Sequence, residues 1–199
     1  KTGIEMPGES AGIIGSPKSW DGRQRFTTMF GQGMACTPLQ ISSLISTIGN
    51  QGVQVMPRLV EGYADSQGII QKAKAPATTQ KLDQNVAAPL VRMMESVTTD
   101  EGTAKKAQIP GYRSAGKTGT SEIISSSGAS AGVVASFIGL APAENPEIAV
   151  SVVIYKPKSG IYGGVVAGPV FSQVAAQALT LLDVPPSTSK PQLYPVSAH

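Results

Sequence analysis

Ten residues, Gly111 to Thr120, constrain this chain most, because the run G-Y-R-S-A-G-K-T-G-T satisfies two incompatible local folds. Read as G-x-x-x-x-G-K-T, it is a phosphate-binding loop that must join a buried strand to a helix. Read as K-T-G-T, it is an extended strand of the kind serine acyl-transferases use to hold a carboxylate. The first fold makes a nucleotide-binding protein, the second an acyl-transfer site.

The flanks decide against the loop. A phosphate loop needs a hydrophobic strand before it and a helix after it, whose first amides hold the phosphates. Upstream stands Lys105-Lys106-Ala107-Gln108-Ile109-Pro110, which is no buried strand. Downstream, Gly119 and Ser125-Ser126-Ser127-Gly128 are poor helix formers. The apolar run Leu179–Leu182 ending in Asp183 imitates the second acidic motif of such proteins, but it repeats with helical period and Pro185-Pro186 follow. Asp183 therefore reads as the end of a surface helix.

The K-T-G-T reading agrees with its surroundings. Residues 112–121 read as a strand, and Ser125–Gly132 as a small-residue connection expected to be mobile. Val133–Leu140 and Glu147–Tyr155 read as two further strands, antiparallel because only a short Glu144-Asn145-Pro146 turn separates them. Gly160–Gly164 reads as a loop. A last helix is expected over about Val166–Leu182, with Phe171, Val174, Ala178, Leu181 and Leu182 inward. Upstream, residues 1–33 are rich in Gly and Pro and read as loop. Thr37, Pro38 and Gln40 make a capping box that opens a helix, with Ile41, Leu44, Ile45 and Ile48 on one face and Gly49-Asn50 as its left-handed stop. Val53, Val55 and Leu59 hint at short strands, and Ala73–Gln80 reads as surface loop. A second helix runs from about Asp83 to Val97, with Val86, Leu90, Met93, Met94 and Val97 as its buried stripe and Pro89 as an expected kink. The sum is an α/β (α+β) fold with an antiparallel sheet flanked by helices.

Composition closes off other chemistries. The 199 residues hold one cysteine, Cys36, so no internal disulfide or cysteine metal cage can form, and Cys36 reads as a small buried residue. The one histidine, His199, is the last residue, which excludes a Ser-His-Asp triad and a histidine zinc site in any ordinary geometry. A net charge of +3 without a basic run gives no nucleic-acid surface, and no apolar stretch is long enough to span a bilayer. No cofactor is expected.

On a strand, Thr118 and Thr120 lie on one face, Gly119 between them leaves room for a neighbouring element, and Lys117 adds a positive charge. The Thr120 N–H suits an oxyanion donor. The earlier copy, Lys1-Thr2-Gly3, sits in a Pro-Gly loop and reads as structural.

Taken together, several segments resemble the C-terminal part of the transpeptidase domain of class B penicillin-binding proteins, nearest the division type. They are Thr2–Glu9, Phe30–Gly33 with Thr37–Gln40, Met93–Val97, Gly102–Ala104, Gly111–Thr120, Phe137–Gly139 with Ala141-Pro142, and Tyr162–Gly164 with Ala167 and Pro169–Phe171. They follow the family's order over residues 1 to about 183, leaving 184–199 as a frayed Pro/Ser-rich tail. The resemblance implies a penicillin-binding, transpeptidase-like fold and a serine acyl-enzyme that crosslinks peptidoglycan stem peptides in septal wall synthesis and is trapped by β-lactams. It assigns Lys117, Thr118, Gly119 and Thr120 to the third active-site motif, with Lys117 and Thr120 catalytic, and it places Tyr162 at the cleft rim. It also implies divisome partners, a site outside the cytoplasmic membrane and an N-terminal anchor.

The family's S-x-x-K and S-x-N motifs are not here. Ser114–Lys117 is formally S-x-x-K, but residues three apart on a strand face opposite sides. Ser187–Lys190 lies between prolines, and no Ser-x-Asn occurs. The chain is therefore expected to hold part of an active site, inert alone, with the N-terminal part of the same protein supplying the serine, its lysine and the remaining strands. The alternatives are a β-lactam sensor or a non-catalytic penicillin-binding module and, remotely, a P-loop NTPase.

Overall fold

The computed structural model describes residues 1–194, so His199 and the last residues of the tail lie outside the described part. The Gly/Pro-rich start is not all loop. A two-residue strand β1 (Ile13–Ile14), a short helix α1 (Gln24–Thr27) and β2 (Met34–Ala35) punctuate it, and β1 pairs antiparallel with β2. The first K-T-G copy is held in a loop by Glu9, which accepts from the Thr2 N–H (2.5 Å), the Thr2 hydroxyl (2.6 Å) and the Gly3 N–H (3.2 Å). These bonds, the Thr2 hydroxyl's first, keep the Glu9 carboxyl below its ordinary value.

Helix α2 (Pro38–Gly49) starts as its capping box requires: Thr37 Oγ1 accepts from the Gln40 N–H, and the Gln40 side chain accepts from the Thr37 N–H. Its left-handed stop comes later than expected, at Gln51 and Gly52 rather than Gly49-Asn50. Ile45 is buried, but Leu44 is exposed, and Thr47 takes a buried place by donating its hydroxyl to the Ser43 carbonyl. Four short strands follow: β3 (Val53–Val55), β4 (Gly62–Ala64), β5 (Ile70–Lys72) and β6 (Thr78–Gln80). They form two hairpin-like pairs, β3 with β6 and β4 with β5, so Ala73–Gln80 is only partly loop.

Helix α3 (Gln84–Glu95) is capped by Asp83 and runs unbroken past Pro89, whose sixth position costs it a single amide bond. Its buried side chains are Ala87, Val91 and Glu95, not Val86 and Met93, which are exposed. Of the expected stripe, Leu90, Met94 and Val97 are partly buried, with Met94 and Val97 packed against the core, so the stripe is met in part and centred one residue further on.

The main sheet is β7 (Ala115–Ile124), β8 (Ser130–Ala141) and β9 (Ile148–Tyr155), antiparallel in the order β7-β8-β9. The β7–β8 connection is a tight hairpin tip, closed by Ser125, whose N–H and hydroxyl both donate to the Ala129 carbonyl and whose oxygen accepts from the Ala129 N–H. A one-turn helix α4 (Gly163–Val166) replaces the expected loop, and α5 (Gly168–Leu181) ends the layered core. In α5 the buried residues are Gly168, Phe171, Ala175 and Leu179, while Val174, Leu181 and Leu182 stay exposed. Asp183 follows in the left-handed conformation, as befits a helix end.

Alternation along the strands gives the sheet two apolar faces. Phe137 and Ala141 of β8 meet Phe171, Ala175 and Leu179 of α5, with Ile148, Val150, Val152 and Ile154 of β9 around them. The Phe137 and Phe171 rings pack edge to face with centroids 4.7 Å apart. On the other face, Ala115 and Leu140 meet Ile45 of α2 and Val91 of α3. The result is a helix–sheet–helix sandwich. β7 lies at one edge of the sheet, and no described strand pairs with its outer side.

Candidate active site

The strand that carries K-T-G-T begins at Ala115, three residues later than expected, and Tyr112 makes only an isolated bridge to Ile109. All four motif residues lie inside β7. Register against β8 pairs Lys117 with Ile138, Thr118 with Phe137, Gly119 with Ser136 and Thr120 with Ala135. Directly opposed residues share a face. Thr118 and Thr120 are thus on the Phe137 face together, as expected, and Lys117 and Gly119 are on the other.

The two faces meet at the open edge. Lys117 is exposed, and its ammonium curls back to donate to the Thr118 carbonyl at 2.9 Å. That carbonyl is therefore turned away from β8. In an antiparallel ladder a residue's N–H and C=O point the same way, and the direction alternates along the strand. The N–H of Thr120, two residues on, projects from the same open edge. Lys117 takes part in no salt bridge among the described residues, so its charge is free for an incoming anion.

Helix α4 closes the upper end of this edge. The Gly163 N–H donates to Thr120 Oγ1 at 3.3 Å. A Cβ on Gly163 would lie 2.5 Å from the Gly119 carbonyl oxygen and collide with that of Ser136. A Cβ on Gly119 would strike the Ser136 hydroxyl. Glycine at 163 is what permits α4 to sit on the strand, and glycine at 119 leaves room for Ser136 on the opposite face. Tyr162, the residue before α4, is 65% exposed and does not pack into the core.

The base of the strand holds residues that sequence reading missed. Glu95, whose side chain is 2% exposed, receives Arg113 Nε at 2.8 Å and Nη2 at 2.7 Å. These hydrogen bonds hold the guanidinium above its ordinary value against the opposing effect of burial. Thr98 donates to the Ser114 carbonyl at 2.8 Å. Ser114 is itself buried, whereas Lys117 is exposed, so the formal S-x-x-K of Ser114–Lys117 does not bring its two ends together. The tail is not frayed over its described length, since Tyr112, Arg113 and Gly111 all bind it. Ser187 is one of those anchoring residues, so Ser187–Lys190 serves as structure. Cys36 is half-buried.

An edge strand with one ammonium, two hydroxyls and an outward amide can hold a carboxylate and stabilise an oxyanion. It contains no activated nucleophile. A phosphate loop is excluded, because the stretch is strand where that fold requires a turn into a helix.

Comparison with known proteins agrees with this geometry. A family model, the penicillin binding protein transpeptidase domain, matches residues 1–176. Stage V sporulation protein D of Bacillus subtilis is 33% identical over 190 residues, 94% of this chain and 29% of that protein. The peptidoglycan D,D-transpeptidase FtsI of Escherichia coli K12 is 33% identical over 93% of this chain and 30% of its own length. The chain thus spans less than a third of these relatives. Among solved structures, penicillin-binding protein 3 of Mycobacterium tuberculosis complexed with aztreonam superposes with a TM-score of 0.88 and 27% identity, over 99% of this chain and 46% of that one.

Proposed function

This chain belongs to the penicillin-binding protein transpeptidase domain family, and from that premise we propose that residues 1–183 form the C-terminal part of a peptidoglycan D,D-transpeptidase acting in septal wall synthesis, with 184–199 as its tail. A serine from an upstream part of the same protein attacks the carbonyl of a stem peptide's terminal D-Ala-D-Ala. The terminal D-Ala leaves, and an amine of a neighbouring stem then takes the acyl group. Both steps pass through an oxyanion, and neither needs a cofactor.

The observation that carries the reading is the open edge of β7. Thr118 and Thr120 offer hydroxyls to the donor's terminal carboxylate. Lys117 sets a positive charge between that carboxylate and the entering serine. The outward Thr120 amide is aimed where negative charge develops, and one such donor is worth about 2.7–4 kcal/mol in the transition state. Gly163 lets α4 close on the strand, and Tyr162 borders the cleft. A β-lactam carries the same carboxylate and a strained amide, so it enters as the donor does. The upstream part, carrying the S-x-x-K and S-x-N motifs, is the first partner. Divisome proteins are the next, and the enzyme works at the outer face of the cytoplasmic membrane.

Labelling with a fluorescent penicillin tests the proposal. The full-length protein is expected to take one covalent label, lost when the upstream serine is replaced by alanine, and residues 1–199 alone are expected to take none. A labelled 1–199 chain would show that the nucleophile lies here.

A further inference from the structure

The tail after α5 is tied to the root of the strand that carries the motif. Tyr112 donates its hydroxyl to the Val184 carbonyl at 2.7 Å. The Ser187 N–H donates to the Gly111 carbonyl at 2.9 Å, and Ser187 Oγ accepts from the Arg113 N–H at 2.9 Å. Arg113 Nη1 donates to Ser189 Oγ at 2.8 Å. Arg92 of α3 stacks over the Tyr194 ring, 5.0 Å from its centroid. From α3 and the turn after it, Glu95 holds Arg113 and Thr98 holds Ser114 through the bonds described above. Lys117 stands only three residues beyond Ser114.

We propose that residues 184–189 are a strap that positions the K-T-G-T strand for acylation, with Arg113, Ser187 and Ser189 as positioning residues rather than catalytic ones. The inference rests on the function proposed for β7. Its physical basis is that β7 has no strand on its outer side among the described residues. Half of its backbone groups therefore lack a ladder to fix them. The register to β8 holds the strand along its length, while the strap and α3 clamp the segment leading into it. Without the strap hydroxyls, the Arg113 N–H loses its acceptor and one arm of the guanidinium is freed. The root of β7 then gains a degree of freedom that the oxyanion donor and the ammonium inherit. Misplacing a reacting group by 1 Å can cost ~100-fold in rate, and a loosened root costs part of that.

The test uses the full-length protein carrying Ser187→Ala and Ser189→Ala together. These changes touch no core side chain, so the protein should stay folded. Acylation by fluorescent penicillin is expected to slow by about 10-fold, and amide exchange in residues 115–121 to quicken while that of β9 does not change. The Ser187→Thr, Ser189→Thr variant restores the hydroxyls and should restore both readouts. An unchanged acylation rate, a slowed rate with unaltered exchange at 115–121, or failure of the threonine variant to rescue would each overturn the strap. If the unsubstituted protein took no label, the function on which the strap acts would fall, and the strap with it.

Discussion

Glu95→Ala is expected to destabilise the protein by about 3–5 kcal/mol, the usual cost of removing one partner from a buried ion pair. The magnitude follows from burial. The Glu95 side chain is 2% exposed and that of Arg113 15%, so water cannot replace the lost carboxylate without opening the packing of α3 on β7. Arg113 would keep one distant carboxylate, Glu144 at 3.8 Å, which is no substitute for two bonds under 3 Å. For a domain of this size the melting temperature should fall by roughly 10 °C. Glu95→Gln, which keeps an acceptor but no charge, should fall between wild type and alanine. Thermal melts of the full-length protein read both. A loss under about 1 kcal/mol would mean that the pair contributes no more than an exposed one.

The second large effect is on rate. Lys117→Ala should slow penicillin acylation of the full-length protein by on the order of 100-fold or more, with little change in stability. Lys117 is exposed, buries nothing and has no carboxylate partner among the described residues, so its removal costs the fold almost nothing. What it removes is the charge beside the hydroxyls of Thr118 and Thr120. A stopped-flow acylation series with a melt on the same sample separates the two quantities. An acylation rate within 2- or 3-fold of wild type would contradict the role given to the ammonium.

The motif strand and the layered architecture were legible in the sequence because they rest on local rules. Thr37 and Gln40 predict their own capping box, and the pairing of two apolar runs across a short turn predicts β8 and β9. The helix faces were less legible. Counting large apolar residues put Val174 and Leu181 of α5 inward, but the buried face is Phe171, which packs on Phe137, with the small Ala175 and with Leu179, while Gly168 lets the helix start close against Ala107. In α3 the stripe Ala87–Val91–Glu95 was hidden for the opposite reason, since a glutamate does not count as core until its arginine is found.

At the site, hydropathy and spacing gave the strand and the shared face of Thr118 and Thr120. They could not give its root. Tyr112 to Ser114 looked like strand because they are followed by one. Their partners lie 16 to 76 residues away in Glu95, Thr98 and the tail, and no period connects them. The doublet Gly163-Gly164 was the one available signal for α4, since two adjacent glycines after an aromatic mark a close backbone approach. The tail misled in the other direction: Pro and Ser suggest fraying, but prolines also stiffen a segment whose serines have acceptors and donors to meet.

The central claim is that the open edge of β7 receives the donor carboxylate. A crystal structure of the full-length protein acylated by a penicillin tests it most directly. The account predicts the drug's carboxylate within about 3.2 Å of the Thr118 and Thr120 hydroxyls, with its carbonyl oxygen on the Thr120 N–H. A drug carboxylate bound elsewhere, with the edge of β7 facing only water, would contradict it.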